Sequence, residues 1–295
     1  MTEEIPERRF HTGAVELSYA EGPPNGPPLV YLHGGSGRWQ HGGRFVELMA
    51  ERWHVYGLDL RGHGKSGWVT GHYRIRDYAA DIAAFLQGPV GMPAALYGQS
   101  LGGQVALLVA AEHPELVEAL VLGDIPLTDE DPVQEPEHQR MIRLWRELAG
   151  SARTAEQIAA ALRAMPLPRD GRRAGDVFGE DSPWFPFMGE TLAQHDPDVL
   201  TFVIDRRAEM LEGYDVLALL PRVACPTLLV LADQAVDGLV SDADAERALG
   251  LLARGESVRM DGIGHPLHAT HPEPVARVIG AFLDATVPSP RSSTP

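Results

Sequence analysis

The pentapeptide Gly98-Gln99-Ser100-Leu101-Gly102 decides the fold of this 295-residue chain. A short apolar run precedes it and a helix-forming run follows, so its serine stands between a predicted strand and a predicted helix. A serine in such a sharp turn is lifted above the end of a sheet, with its hydroxyl exposed. The glycines two residues to either side are needed because the strained turn brings neighbouring backbone segments too close for a Cβ.

Composition and charge indicate a globular protein and exclude several kinds of partner. Hydrophobic residues make up 44% of the chain and charged residues 22%, values that allow a large buried core. The net charge of −16 argues against nucleic acid or an anionic membrane as a partner, because both attract positive charge. The single Cys225 excludes an internal disulfide, and the charged N-terminus lacks a signal-peptide segment. We therefore expect a cytoplasmic protein with a small-molecule substrate, of unknown oligomeric state.

Short apolar strands alternate with amphipathic helices over residues 15–125 and again after residue 221. This alternation predicts an α/β fold, a mostly parallel sheet with helices on both faces. Residues 126–220 are charged and helix-like without a buried strand, which predicts a helical lid between two parts of one sheet. We predict an α/β core of residues 1–125 and 221–287, a lid domain of residues 126–220 and a disordered tail of residues 288–295.

The exposed serine directs the search for chemistry toward a base and an acid. A serine hydroxyl becomes a nucleophile when a base takes its proton and an acid orients that base. With this type of turn, the order along the chain is serine, acid, histidine. His265 is the predicted base, since the glycines of Gly262-Ile263-Gly264-His265 let a loop carry the imidazole over the sheet edge. We expect His268 and His271, in the same loop, at the surface or behind the site.

Three aspartates are candidates for the acid. Asp237 precedes His265 by 28 residues, enough for one helix and one strand to return the chain to the same edge. Asp233 stands at the end of the strand before that helix, and Asp124 directly follows the preceding strand. Only the carboxylate that contacts the far nitrogen of the base can orient it. We favour Asp237 and keep Asp124 and Asp233 as alternatives.

Backbone amides are expected to stabilise the negative charge that develops on a substrate oxygen. The N–H of Leu101 directly follows the nucleophile, and Gly35 lies in a glycine-rich loop whose amide can approach a substrate closely. His33 and His63, in similar loops, are expected to make structural hydrogen bonds.

These motifs together resemble the α/β-hydrolase superfamily, in particular its lidded group of carboxylesterases, carbon–carbon bond hydrolases, lactonases and haloperoxidase-like esterases. The resemblance implies Ser100 as nucleophile, His265 as base and Asp237 as acid, with Gly35 and Leu101 forming the oxyanion hole. It implies no metal and no organic cofactor. The likeness rests on five stretches: His33-Gly34-Gly35, Asp59-Leu60-Arg61-Gly62-His63-Gly64-Lys65-Ser66, Gly98-Gln99-Ser100-Leu101-Gly102, Leu219-Leu220-Pro221 before Cys225-Pro226-Thr227, and Gly262-Ile263-Gly264-His265.

We expect a serine hydrolase that cleaves carboxylic esters of small to medium, mostly apolar substrates through an acyl-enzyme. The lid is rich in aromatic residues and methionine, which favours an apolar substrate pocket lined by Trp145, Trp184, Phe187 and Met188. A carbon–carbon bond hydrolase or lactonase is the alternative enzyme.

Carbon–carbon bond hydrolysis would require a cation for the acid end of its substrate, such as Arg38, Arg143 or Arg206. A ligand-binding or signalling member that uses the cavity without catalysis is the third hypothesis.

Overall fold

The computed structural model describes residues 5–128, 136–167 and 171–287, with an eight-stranded sheet at its centre. The strands are β1 (Glu7–His11), β2 (Glu16–Glu21), β3 (Pro28–Leu32), β4 (His54–Leu58), β5 (Ala94–Gln99), β6 (Val117–Gly123), β7 (Thr227–Ala232) and β8 (Gly255–Met260). They lie in the order β1-β2-β4-β3-β5-β6-β7-β8. The pairs β1–β2 and β2–β4 are antiparallel and the others parallel, which confirms the predicted mostly parallel sheet.

Helices cover both faces of this sheet. The described residues form α1 (Gly43–Ala50), α2 (Ile75–Phe85), α3 (Leu101–Glu112), α4 (Pro136–Leu148), α5 (Ala155–Ala164), α6 (Ala174–Phe178), α7 (Trp184–Ala193), α8 (Pro197–Ile204), α9 (Arg207–Met210), α10 (Val216–Leu219), α11 (Asp242–Leu251), α12 (Leu267–Thr270) and α13 (Pro272–Thr286). None of the helices in these ranges is long and apolar enough to cross a membrane.

Alternate residues of the central strands enter two different hydrophobic cores. In β3, Val30 and Leu32 pack with α2 and α3, whereas Leu29 and Tyr31 pack with α1 and α13. Successive side chains of a strand point to opposite faces, so a sheet covered on both sides needs a continuous apolar run. The edge strand β1, which the apolar pattern does not predict, is charged and mostly exposed.

The chain between β6 and β7 contributes helices α4 to α10, and we call it the β6–β7 segment. Its described residues form a hydrophobic cluster of their own, which includes Ile158, Phe185 and Leu200. Helix α8 belongs to both cores, because Val199 and Phe202 pack on the sheet side. The helical character of this segment agrees with the sequence pattern, while its separation as a lid domain stays a prediction. The tail of residues 288–295 lies outside the described residues.

The turn after β5 is as tight as its glycines indicate. Ser100, between β5 and α3, has φ 53° and ψ −119°, a conformation that costs energy for a residue with a side chain. A Cβ at Gly98 would lie 2.2 Å from the carbonyl oxygen of Gly102. A Cβ at Gly102 would lie 2.3 Å from the carbonyl oxygen of Leu32. Only glycine allows β3, β5 and α3 to approach one another in this way.

We expect Gly102→Ala to lower the free energy of unfolding by about 3 kcal/mol or more, because backbone atoms cannot move aside as a flexible side chain can. The matched control is Gly280→Ala in α13, where a Cβ meets nothing within 4 Å. That substitution should stabilise the protein by about 0.5–1 kcal/mol, the usual gain of alanine over glycine in a helix. Urea unfolding measures both, and equal effects of the two substitutions would contradict the argument.

Candidate active site

Ser100 lies half-buried at the carboxyl end of β5. Its N–H donates to the carbonyl oxygen of Gly123 at 2.9 Å, and its own carbonyl oxygen accepts the N–H of Gln104 as α3 begins. The N–H of Leu101 belongs to the first turn of α3, where amides have no acceptor within the helix. The turn therefore presents a hydroxyl and a free helix terminus at one point.

Asp124 occupies the equivalent position on the neighbouring strand. Strands β5 and β6 are parallel, and their last pair is Gln99 opposite Gly123. Ser100 directly follows Gln99 and Asp124 directly follows Gly123, so the two residues leave neighbouring strands at the same level. Asp124 has φ 45°, and these two are the non-glycine residues with positive φ among those described. The Asp124 side chain is fully buried.

The carboxylate of Asp124 contacts the imidazole of His265, with 2.7 Å between Oδ2 and Nδ1. The same carboxylate accepts the backbone N–H of Ala232 and that of Leu239, each at 3.1 Å. Three donors thus surround a carboxylate without access to water, which is how a buried charge is tolerated. With Nδ1 engaged, Nε2 is the ring nitrogen left to exchange a proton.

The sequence-based choice of Asp237 as the carboxylate at this imidazole is wrong. Asp237 is exposed, and its Oδ1 accepts the backbone N–H of His265 at 2.5 Å instead. The cause is a tight turn after β7, in which the N–H groups of Val236, Asp237 and Gly238 all donate to the carbonyl oxygen of Asp233. The turn brings Asp237 against the main chain of the histidine loop, so the His265 ring binds Asp124.

Asp233, the third candidate, also binds backbone. Its carboxylate accepts the N–H of Gly262 at 2.7 Å and that of Ala235 at 2.8 Å. These hydrogen bonds, first that from Gly262, lower the pKa of Asp233. Asp233 and Asp237 therefore shape the loop that carries His265, while Asp124 alone of the three contacts its ring.

The loop that carries Gly35 lies directly over Ser100 and Leu101. A Cβ at Gly34 would be 3.5 Å from Ser100 Cβ, and one at Gly35 would be 3.6 Å from Leu101 Cβ. The predicted donors at Gly35 and Leu101 are thus brought to the same place as the serine.

His33 sets the orientation of the peptide group between Gly34 and Gly35. Its Nε2 accepts the N–H of Leu60 at 3.0 Å, so Nδ1 carries the proton and donates to the carbonyl oxygen of Gly34 at 2.7 Å. The N–H of Gly37 donates to the same oxygen at 3.0 Å. Because C=O and N–H of a trans peptide point in opposite directions, the N–H of Gly35 faces away from His33 and Gly37.

The loop from Asp59 to Ser66, prominent in the sequence, holds this glycine loop in place. The buried Asp59 carboxylate accepts the N–H of Trp39 at 2.8 Å and that of Lys65 at 2.9 Å, and burial raises its pKa to about 6. His63 Nε2 lies 3.0 Å from the carbonyl oxygen of Gly35. His33 and His63 thus make the structural hydrogen bonds predicted from the sequence.

His268 is buried, not at the surface. Its Nε2 lies 2.7 Å from the hydroxyl of Tyr31 and its Nδ1 2.6 Å from that of Tyr97, and burial lowers its pKa to about 3. Tyr31 and Tyr97 face each other in the register of β3 and β5. Two tyrosine hydroxyls inside apolar strands were the signal for a buried polar partner. His271, by contrast, is exposed.

The residues predicted to line an apolar pocket lie in the β6–β7 segment. Met188 is buried in that segment's own core, and Trp145 and Trp184 pack half-buried against it. Phe187 contacts the glycine-loop region, since its ring centroid lies 4.9 Å from the guanidinium carbon of Arg38 and 4.5 Å from the His41 ring.

The three arginines considered for an anionic substrate are paired with carboxylates. Arg38 is buried and contacts Glu190 at 2.6 Å, Arg143 contacts Asp205 at 3.2 Å, and Arg206 contacts Glu209 at 2.7 Å. In the described ranges, no group of three or more histidine, cysteine, aspartate or glutamate side chains could hold a metal ion.

Comparison with known proteins identifies the family of this chain. The family model described as alpha/beta hydrolase fold matches residues 27–272. The chain belongs to the α/β-hydrolase family. This hydrolase is 28% identical over 276 residues to a pimeloyl-(acyl-carrier protein) methyl ester esterase of Xanthomonas oryzae pv. oryzae, covering 90% of this chain and 97% of the relative.

Two further matches span similar lengths. The chain is 25% identical over 287 residues to a pyrrolizixenacetamide deacetylase of Xenorhabdus hominickii, covering 93% of this chain and 97% of the relative. Among solved structures it is similar to a membrane phospholipase A described as a bacterial virulence factor, with a TM-score of 0.72 and 26% identity. That match covers 95% of this chain and 86% of the other.

Because several histidines are buried in the neutral form, we expect the free energy of unfolding to fall steeply as the pH is lowered. Burial lowers the pKa of His33, His41 and His268 to about 3, so these rings stay neutral in the folded protein while the unfolded chain protonates them near pH 6.5. Their stabilisation is therefore complete above pH 6.5 and is lost as the pH falls. Each ring contributes a slope of about 1.4 kcal/mol per pH unit to the free energy of unfolding.

We expect His268→Gln to reduce the slope of the free energy of unfolding between pH 6 and pH 4 by about 1.4 kcal/mol per pH unit, the contribution of one ring. Urea unfolding at several pH values measures this slope. His113→Gln is the matched control, in which the same replacement is made at a partly exposed histidine. The same slope in the wild type and in His268→Gln would contradict the prediction.

Proposed function

We propose that the protein is a serine hydrolase that cleaves carboxylic esters of small to medium, mostly apolar substrates. The observation that supports this most is the His265 imidazole bound to the buried Asp124 carboxylate, at the sheet edge where Ser100 stands. A base oriented by a carboxylate, at the same sheet edge as a strained, half-buried serine, is an arrangement suited to activating a hydroxyl.

In the proposed mechanism, Ser100 Oγ attacks the ester carbonyl carbon while His265 Nε2 takes the hydroxyl proton. Asp124 holds the ring by Nδ1 and stabilises the imidazolium that forms. The N–H groups of Leu101 and Gly35 donate to the oxyanion of the tetrahedral intermediate. The intermediate expels the alcohol, which receives the proton from His265, and the acyl group stays on Ser100.

Deacylation repeats these steps with water as the nucleophile. His265 takes a proton from the water, hydroxide adds to the acyl carbon, and the second tetrahedral intermediate expels Ser100 Oγ. The carboxylic acid leaves and the serine regains its proton. Asp237 acts in this scheme only on the main chain of His265.

Charge supports a neutral substrate. Arg38, which follows the glycine loop in the chain, is paired with Glu190 and stacks on Phe187. The carbon–carbon bond hydrolase alternative would use such a cation for an acid group, so it is less well supported. The ester reading also agrees with the methyl ester substrate named for the Xanthomonas relative. We propose that the β6–β7 segment acts as a lid, in which Phe187 contacts Arg38 and His41 beside the glycine loop.

Substitution of the serine tests the reaction class. Ser100→Ala should fold normally, lose at least about 10⁴-fold in kcat on p-nitrophenyl butyrate, and resist labelling by a fluorophosphonate. The matched control is Ser257→Ala on the exposed part of β8, which should retain wild-type rates. Labelling of Ser36 or Ser66 in Ser100→Ala would overturn the assignment. A wild-type protein inactive on acetate, butyrate and octanoate esters would overturn the ester proposal.

Substitution of the aspartates tests the acid. Asp124→Asn should lower kcat by about 10⁴-fold, because the amide cannot hold the productive tautomer of His265 or stabilise its imidazolium. Asp237→Asn and Asp233→Asn should each cost less than about tenfold, since both carboxylates bind backbone only. Circular dichroism confirms that each variant folds. A collapse of activity in Asp237→Asn with near-normal Asp124→Asn would reverse the assignment.

A further inference from the structure

The carbonyl oxygen of Gly35 is approached by two histidines from different parts of the chain. His63 Nε2 lies 3.0 Å from it, and His195 Nε2 lies 3.2 Å from it. The two rings are in edge-to-face contact, with centroids 4.5 Å apart. His63 comes from the loop after β4, whereas His195 comes from the β6–β7 segment between α7 and α8. The glycine loop is therefore held partly by a residue of the segment proposed as a lid.

The two rings have few N–H groups to share. Burial lowers the pKa of both, so each ring is neutral and carries one N–H. The other nitrogens face carbonyl oxygens as well, His63 Nδ1 that of Arg61 at 2.8 Å and His195 Nδ1 that of Asp196 at 3.0 Å. Two N–H groups thus serve three carbonyl oxygens, of which that of Asp196 also accepts the N–H of Val199 at 3.1 Å. Loss of His195 would leave the single N–H of His63 to serve the oxygens of Gly35 and Arg61.

The position of His195 is fixed by its neighbours. The N–H of Asp196 donates to the carbonyl oxygen of Gly62 at 2.8 Å, and the hydroxyl of Tyr73 donates to Asp196 Oδ2 at 2.5 Å. Helix α8 then begins and packs Val199 into the sheet-side core. The His195 ring, which is completely buried, cannot turn away without disturbing this anchor.

We propose that His195 is a positioning residue, which holds the peptide group between Gly35 and Ser36 and so fixes the N–H of Gly35 at the oxyanion. That N–H and the Gly35 carbonyl share one Cα, and glycine offers little resistance to rotation there. His33 restrains the preceding peptide, and His63 with His195 restrains the following one. The inference rests on the proposed function, since it assigns the oxyanion to the Gly35 amide.

A pair of substitutions separates hydrogen bonding from packing. The amide nitrogen of glutamine reaches the position of imidazole Nε2, whereas that of asparagine reaches only the position of Nδ1. His195→Gln should keep kcat on p-nitrophenyl butyrate within about threefold of the wild type. His195→Asn should lose about 10–100-fold in kcat with KM changed less than threefold, since one poorly placed oxyanion donor costs up to about 10²–10³.

Thr154→Ala is the control for destabilisation of the β6–β7 segment. Thr154 caps α5 by accepting the N–H of Gln157, far along the chain from the glycine loop. Its loss should cost about 1 kcal/mol of stability and leave kcat unchanged. Equal kcat values for His195→Gln and His195→Asn, whether both normal or both reduced, would overturn the inference.

Binding of phenylboronic acid distinguishes failure of this inference from failure of the proposed function. The Oγ of Ser100 forms a bond to boron and yields a tetrahedral adduct whose oxygen occupies the oxyanion position, with the serine proton taken up by His265. We expect affinity, measured by tryptophan fluorescence, to be about tenfold weaker in His195→Asn and unchanged in His195→Gln. If the wild type is active and both variants bind the boronate equally well, the role of His195 is rejected but the proposed function is not. A wild type that neither cleaves esters nor binds the boronate rejects both proposals.

Discussion

The candidate site depends on the hydrogen bonds that surround the buried carboxylate of Asp124. A charge without access to water persists only where donors surround it, and here the donors come from Ala232, Leu239 and His265. The end of β6, the turn after β7 and the histidine loop must therefore meet at one point for the chain to fold. The same meeting places the imidazole at the strand next to Ser100. The constraint that closes this edge of the sheet also brings the proposed base to the edge where Ser100 stands.

Local features of the sequence predicted the mostly parallel sheet and the tight turn at Ser100, because the alternation of apolar and helix-forming stretches and the closely spaced glycines are visible within short lengths of chain. A Cβ at Gly98 would meet the carbonyl oxygen of Gly102, four residues along the chain, whereas the close approach of Gly102 to Leu32 follows from the packing of β3 on this turn. The choice between Asp124 and Asp237 could not be made in this way. A separation of 28 residues shows that a carboxylate can reach the loop of His265, but not whether it meets the ring or the main chain. The register of β5 and β6 decides that point.

Buried histidines were the residues least accessible to prediction. His33 and His63 stand in glycine-rich loops, where a structural hydrogen bond is a reasonable expectation. His195 and His268 lie in stretches without such a signal, and their partners come from remote parts of the chain. An imidazole can be placed in a core only when the carbonyl or hydroxyl groups facing it are known. Those groups are set by the packing of the β6–β7 segment and by the register of β3 and β5.

Helix α8 contacts both the core of the β6–β7 segment and the core on the sheet, so substitutions on its two sides have different consequences. Its Leu200 and Ile204 belong to the segment's own core, whereas Val199 and Phe202 belong to the sheet. Substitutions in α5 act on the segment's own core, which includes no residue of the central sheet. Substitutions on the sheet side of α8 act on the framework itself. Over evolutionary time, α5 and α6 are therefore expected to diverge faster than α7, which contacts Arg38, and than the sheet side of α8.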